Sequence, residues 1–145
     1  MPEPPSIEAI RAAVEAIVPG KGDRPGGAEL RVHEHVVEAL DRFLPGFVDL
    51  AATLLDAYAV DVRAEASFTD LTLEERTAVL RAMSLEENAD MRDIIEGLLA
   101  FTYGGMYSEW TGRSRETGEL RSPVAWETMG FAGPSDGHPK YRESL

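Results

Sequence analysis

Apolar residues recur along the first hundred positions of this chain at helical spacing, with polar residues filling the intervals. Ile7, Ile10, Val14 and Ile17 stand at i, i+3, i+7 and i+10, one stripe of a helix that Ser6 can cap and Pro19-Gly20 stop. The run Gly20-Lys21-Gly22-Asp23-Arg24-Pro25-Gly26-Gly27 is turn former after turn former and predicts a loop. A second helix is expected from about Ala28 to Leu44. It puts Leu30, His33, Val37, Leu40 and Leu44 on one stripe, with Val32, Val36, Ala39 and Phe43 widening the buried face. Pro45-Gly46 interrupts the chain, and a third helix then carries Phe47, Leu50, Leu54, Leu55 and Tyr58. Its polar side is so thin that it is expected at the centre.

Thr72-Leu73-Glu74-Glu75 spells a capping box, in which hydroxyl and carboxylate satisfy each other's backbone donors. The fourth helix follows, with Leu73, Val79, Leu80 and Met83 apolar. Ser84-Leu85-Glu86-Glu87 repeats the pattern, so a fifth helix starts there or at Asn88 and turns Met91, Ile94, Ile95, Leu98 and Leu99 inward. No stretch alternates with period two for long enough to need a sheet. The expected fold is all-α: one domain over residues 1–145, a small bundle of about five helices in a body spanning about 6–102.

From about residue 103 to 145 the pattern changes. This segment holds both tryptophans and three of the four tyrosines and is rich in glycine and proline, and it predicts an irregular stretch. About forty irregular residues are unusual in a compact domain, and aromatic rings are costly to leave in water. The segment must cover its own helices or dock on another protein. Charge favours docking. Residues 1–108 carry nine Lys/Arg against twenty Asp/Glu, whereas residues 109–145 carry five against six. Interface centres are depleted in charge and enriched in Trp, Tyr, Met and Arg. Tyr103, Met106, Tyr107, Trp110, Trp126, Met129 and Phe131 are therefore the expected partner-binding anchors, with Arg113 and Arg121 as polar contacts. The structural alternative is that several of these rings close the chain's own core.

Composition narrows the function. The net charge is −12 and the pI about 4.6, a surface that repels phosphate backbones, so nucleic acid is not an expected partner. No apolar run approaches the roughly 20 residues that span a bilayer, so direct membrane insertion is not expected. The N-terminal Met1-Pro2-Glu3-Pro4-Pro5 has no basic region, apolar core or twin arginine, and no cysteine occurs, so the cytoplasm is the expected compartment. The alternative is the periplasm, reached on a partner's export signal.

Candidate chemistry is sparse. His33-Glu34-His35 is the one cluster that suggests metal, but residues two apart on a helix differ by about 200° in direction and cannot both reach one ion. Glu29, one turn before His33, would complete only a partial site. His138 lies in the loop Asp136-Gly137-His138-Pro139, where a neighbouring carboxylate could make it a base. Tyr103-Gly104-Gly105-Met106-Tyr107 follows a helix, so its glycines cannot offer the helix N-terminal amides that hold pyrophosphate; a helix C-cap and tight backbone packing are expected instead. No catalytic, cofactor-binding or metal-ligating set is expected in this chain.

The ordered succession of Ile17-Val18-Pro19, Val32-His33-Glu34-His35-Val36, Phe68-Thr69-Asp70-Leu71-Thr72-Leu73-Glu74-Glu75-Arg76, Thr102-Tyr103-Gly104-Gly105-Met106-Tyr107-Ser108 and Trp126-Glu127-Thr128-Met129-Gly130-Phe131-Ala132-Gly133-Pro134 resembles the gluconate 2-dehydrogenase subunit 3 family. The resemblance spans about Ile7 to Pro134. It implies an accessory chain without activity of its own, the small or gamma subunit beside a large FAD-dependent subunit of the glucose-methanol-choline oxidoreductase type. A cytochrome c subunit is often a further partner. It also implies that FAD belongs to the large subunit, and that the substrate is a sugar, sugar acid or glycoside bound there. Small subunits of exported members commonly bear a twin-arginine signal, which this sequence does not show. Two other classes compete with this reading: an independent metal-binding protein or enzyme using His33, Glu29 or His138, and a self-associating structural protein.

Overall fold

The computed structural model describes residues 3–107 together with Trp126 and Gly130. Among the described residues the regular elements are helical: α1 (Pro5–Ile17), α2 (Val32–Phe43), α3 (Phe47–Val62), a 3₁₀ turn (Phe68–Asp70), α4 (Leu73–Ser84) and α5 (Ala89–Tyr107). Extended pairing there is confined to an isolated bridge between Lys21 and Arg24. The all-α expectation holds.

The centre of the bundle is α1, not α3. It buries Ala9, Ile10, Ala12, Ala13 and Val14 and touches every other helix and the 3₁₀ turn. Its alanines add little to an apolar stripe, yet their small side chains let four neighbours approach closely, which is what a central helix requires. By contrast, α3 leaves Leu50, Val60 and Val62 exposed. The largest fully buried side chains are Phe68, Ile10, Leu40, Leu55, Met83 and Leu98, drawn from every element.

Local chemistry sets most boundaries. α1 starts at Pro5 behind Pro4 with no side-chain cap, so Ser6 lies inside the first turn. α2 starts at Val32, four residues after the expected Ala28, because residues 27–31 form turns of mixed size that end with Arg31 in the left-handed region. Thr72 and Glu75 form the anticipated capping box: the Thr72 N–H donates to Glu75 Oε2 at 2.7 Å and the Glu75 N–H to Thr72 Oγ1 at 3.3 Å. Ser84 starts no helix. It closes α4 by donating to the Arg81 carbonyl, and Asn88 accepts from the Asp90 N–H at the start of α5.

The link between α3 and α4 is clamped from both sides. Asp56 accepts from the Phe68 N–H at 2.7 Å, and Ser67 with Asp70 forms a second capping box. Arg76 reaches back from α4 to the carbonyls of Phe68 and Thr69 and to Glu15 of α1. These bonds hold the fully buried Phe68 ring in the core.

Candidate functional site

Helix α5 decides which part of the expected docking segment belongs to the body. It runs to Tyr107, five residues beyond the expected limit near 102, so Tyr103 to Tyr107 are helical rather than irregular. Gly104 and Gly105 are therefore interior helical positions and not a C-cap. Gly105 lies where α5 crosses α2: a Cβ there would stand 2.7 Å from His35 Cδ2 and 2.8 Å from Val32 Cγ1. The tight packing expected of the glycine pair is realised at Gly105, while Gly104 would meet His35 Nε2 at an ordinary 3.9 Å.

The stripe Leu98, Thr102, Gly105 and Met106 faces the core, and the opposite side of the same turns carries Tyr103 and Tyr107. Met106 is 6% exposed and belongs to the chain's own core, which removes it from the expected anchors. Tyr103 and Tyr107 are 45% and 60% exposed, their rings stacked with centroids 6.3 Å apart. Two large rings inclined by 22° on one helix end form an apolar platform. Trp126 is half-buried, with its indole nitrogen shielded from solvent. Trp110, Arg113, Arg121, Met129, Phe131 and His138 lie outside the described residues.

On α2, His35 is half-buried against the two glycines; burial pushes its pKa below the ordinary imidazole value against the pull of Glu38. His35 also lines one end of a hollow of about 220 Å³ that continues along α2 past Glu38, Ala39 and Arg42 to Phe43. Phe43 is 67% exposed and Leu44 is exposed with it, so the α2 stripe stays open at its C-terminal end where burial was expected. The Arg42 guanidinium lies 6.0 Å from the Phe43 ring. The sequence offered a signal here, since Phe43-Leu44-Pro45 puts two apolar groups at a helix end that proline forces to turn away.

His33 points elsewhere. It is 3% exposed, and its Nε2 lies 3.7 Å from Glu3 Oε1, so it shares no site with His35, as the helical geometry requires. Glu29 does not join it but accepts from the Gly26 N–H within its own turn. Burial holds the His33 pKa below its ordinary value, opposed by the carboxylates of Glu3 and Glu34.

The glycine pair, inside a helix and near its C-terminal end, has the wrong geometry for a dinucleotide phosphate: helical glycines present no free row of amides. The arrangement around α5 is suited to contact with another macromolecule. No single described helix is long and apolar enough to cross a membrane. In comparison with known proteins, the family model described as "Gluconate 2-dehydrogenase subunit 3" matches residues 4–133. Neither a curated protein nor a solved structure gives a significant match.

Proposed function

The chain belongs to the gluconate 2-dehydrogenase subunit 3 family, and from that premise we propose that it is the accessory small subunit of a flavin-dependent sugar or glycoside dehydrogenase. In this reading it binds and stabilises a large catalytic subunit of the glucose-methanol-choline oxidoreductase type. That subunit holds FAD and takes hydride from the sugar carbinol. A cytochrome c subunit is a further proposed partner, receiving the electrons.

The observation that carries the proposal is the stacked, exposed Tyr103–Tyr107 pair at the end of α5. A monomer gains nothing from leaving two rings in water, whereas aromatic side chains on a rigid helix are what interface centres use. The chain then continues into the aromatic sequence around Trp110 and Trp126, so platform and segment are covalently contiguous. The acidic remainder of the body keeps the other faces solvated.

Co-expression tests this reading. The large flavoprotein subunit is produced with and without this chain, and its soluble yield and bound flavin are measured. The expected result is a soluble, flavin-loaded enzyme only when both chains are present. Equal yield and flavin content in both cultures would overturn it.

A further inference from the structure

We propose that Glu3, His33 and Glu34 form a binding site for a divalent transition metal, and that zinc is the ion that suits it. One donor atom from each residue lies within 4.8 Å of the other two. The site joins the segment leading into α1 to the first turn of α2 and faces away from His35 and the tyrosine platform.

Two features point to a cation and not to a plain ion pair. First, the 3.7 Å between His33 Nε2 and Glu3 Oε1 is too long for a hydrogen bond. It is close to the roughly 3.4 Å that separates two donors each about 2 Å from a tetrahedral zinc ion. A small shift of the Glu3 side chain, 36% exposed, closes the difference. Second, Glu3 Oε2 and His33 Nδ1 are both buried without a hydrogen-bond partner, an expensive arrangement for a bare carboxylate facing an imidazole. A metal held by both Glu3 oxygens would satisfy Oε2, while coordination at Nε2 leaves Nδ1 as it is.

The surrounding charge is consistent with a dication. Two carboxylates and a neutral imidazole sum to −2, and Arg31 pairs with Glu34 at the rim, orienting that carboxylate. Arg11 makes its own ion pair with Glu8. A set of one imidazole and two carboxylates selects zinc over magnesium or calcium, which take oxygen alone. Three protein donors are present among the described residues, and water would complete the shell from the open side at Glu3.

The full chain, stripped with a chelator, is titrated with zinc chloride by calorimetry and its melting temperature followed. The expected result is one zinc per chain, a melting temperature raised by zinc, and affinity at least about tenfold weaker in Glu3→Gln, with no thermal gain in that variant. Glu3 lies outside the helices, so Glu3→Gln keeps the fold even where a change at buried His33 would not. His35→Gln should bind zinc as the unaltered chain does. Absence of stoichiometric zinc, equal affinity in Glu3→Gln, or magnesium bound as tightly as zinc would each overturn the proposal.

Discussion

Gly105 and His35 are mutually fitted: the imidazole occupies the space into which any side chain at residue 105 would project, 2.7 Å from a Cβ placed there. Gly105→Ala should therefore force α2 and α5 apart and cost about 1–3 kcal/mol, as overpacking does. Gly104→Ala meets only an ordinary contact and should be neutral or stabilising by up to about 1 kcal/mol, through helix propensity alone. Chemical denaturation of the two variants checks the pair. Equal effects would contradict the crossing geometry.

Arg76 holds the 3₁₀ turn to α4 and α1 through three bonds from one guanidinium. Arg76→Ala frees the Phe68 and Thr69 carbonyls and should cost about 2 kcal/mol. Arg76→Lys should restore little of it, because a single ammonium cannot reproduce the planar fork. Melting temperatures of the two variants report the difference.

The two capping boxes make stability sensitive to acid. Asp70 is held below its ordinary carboxylate range by the Ser67 hydroxyl and then by the Ser67 N–H; Glu75 is held down first by the Thr72 N–H. For groups with depressed folded-state values, the contribution is complete above the unfolded value and is lost as pH falls through the folded one. The unaltered protein and Glu75→Gln should accordingly differ most near neutrality and converge below about pH 4. A gap constant from pH 7 to 3 would contradict this. Thr72→Ala should cost about 1 kcal/mol at pH 7.

Tyr103 and Tyr107 can be separated from Met106 by what each change disturbs. Replacing both exposed tyrosines with serine should alter the stability of the isolated chain by about 0.5 kcal/mol or less. The same change should weaken binding to the flavin subunit by about 2 kcal/mol or more. Met106→Ala should do the reverse at its own site, destabilising the chain by about 2–5 kcal/mol through a core cavity. Binding titrations beside thermal melts distinguish the two.

The elements themselves were largely legible, because helices α1 to α5 advertise themselves by periodicity, proline placement and the Thr72–Glu75 box. What the pattern concealed depended on size and on partners distant in sequence. The α1 stripe of Ile7, Ile10, Val14 and Ile17 leaves out Ala9, Ala12 and Ala13, yet their smallness makes α1 central. Gly104-Gly105 read as a stop, whereas the close approach of α2 keeps them helical. The proximity of Glu3 to His33 spans thirty positions and appears only when α1 and α2 pack. At the proposed docking face, composition pointed to Tyr103 and Tyr107, but only burial could separate them from Met106.

Hydrogen exchange of this chain, alone and bound to the large flavoprotein subunit, tests the accessory-subunit account most directly. The expected result is slowed exchange in the complex over the last turn of α5, residues 103–107, and through the aromatic segment that follows. Unchanged exchange over that stretch, with or without protection elsewhere, would contradict it.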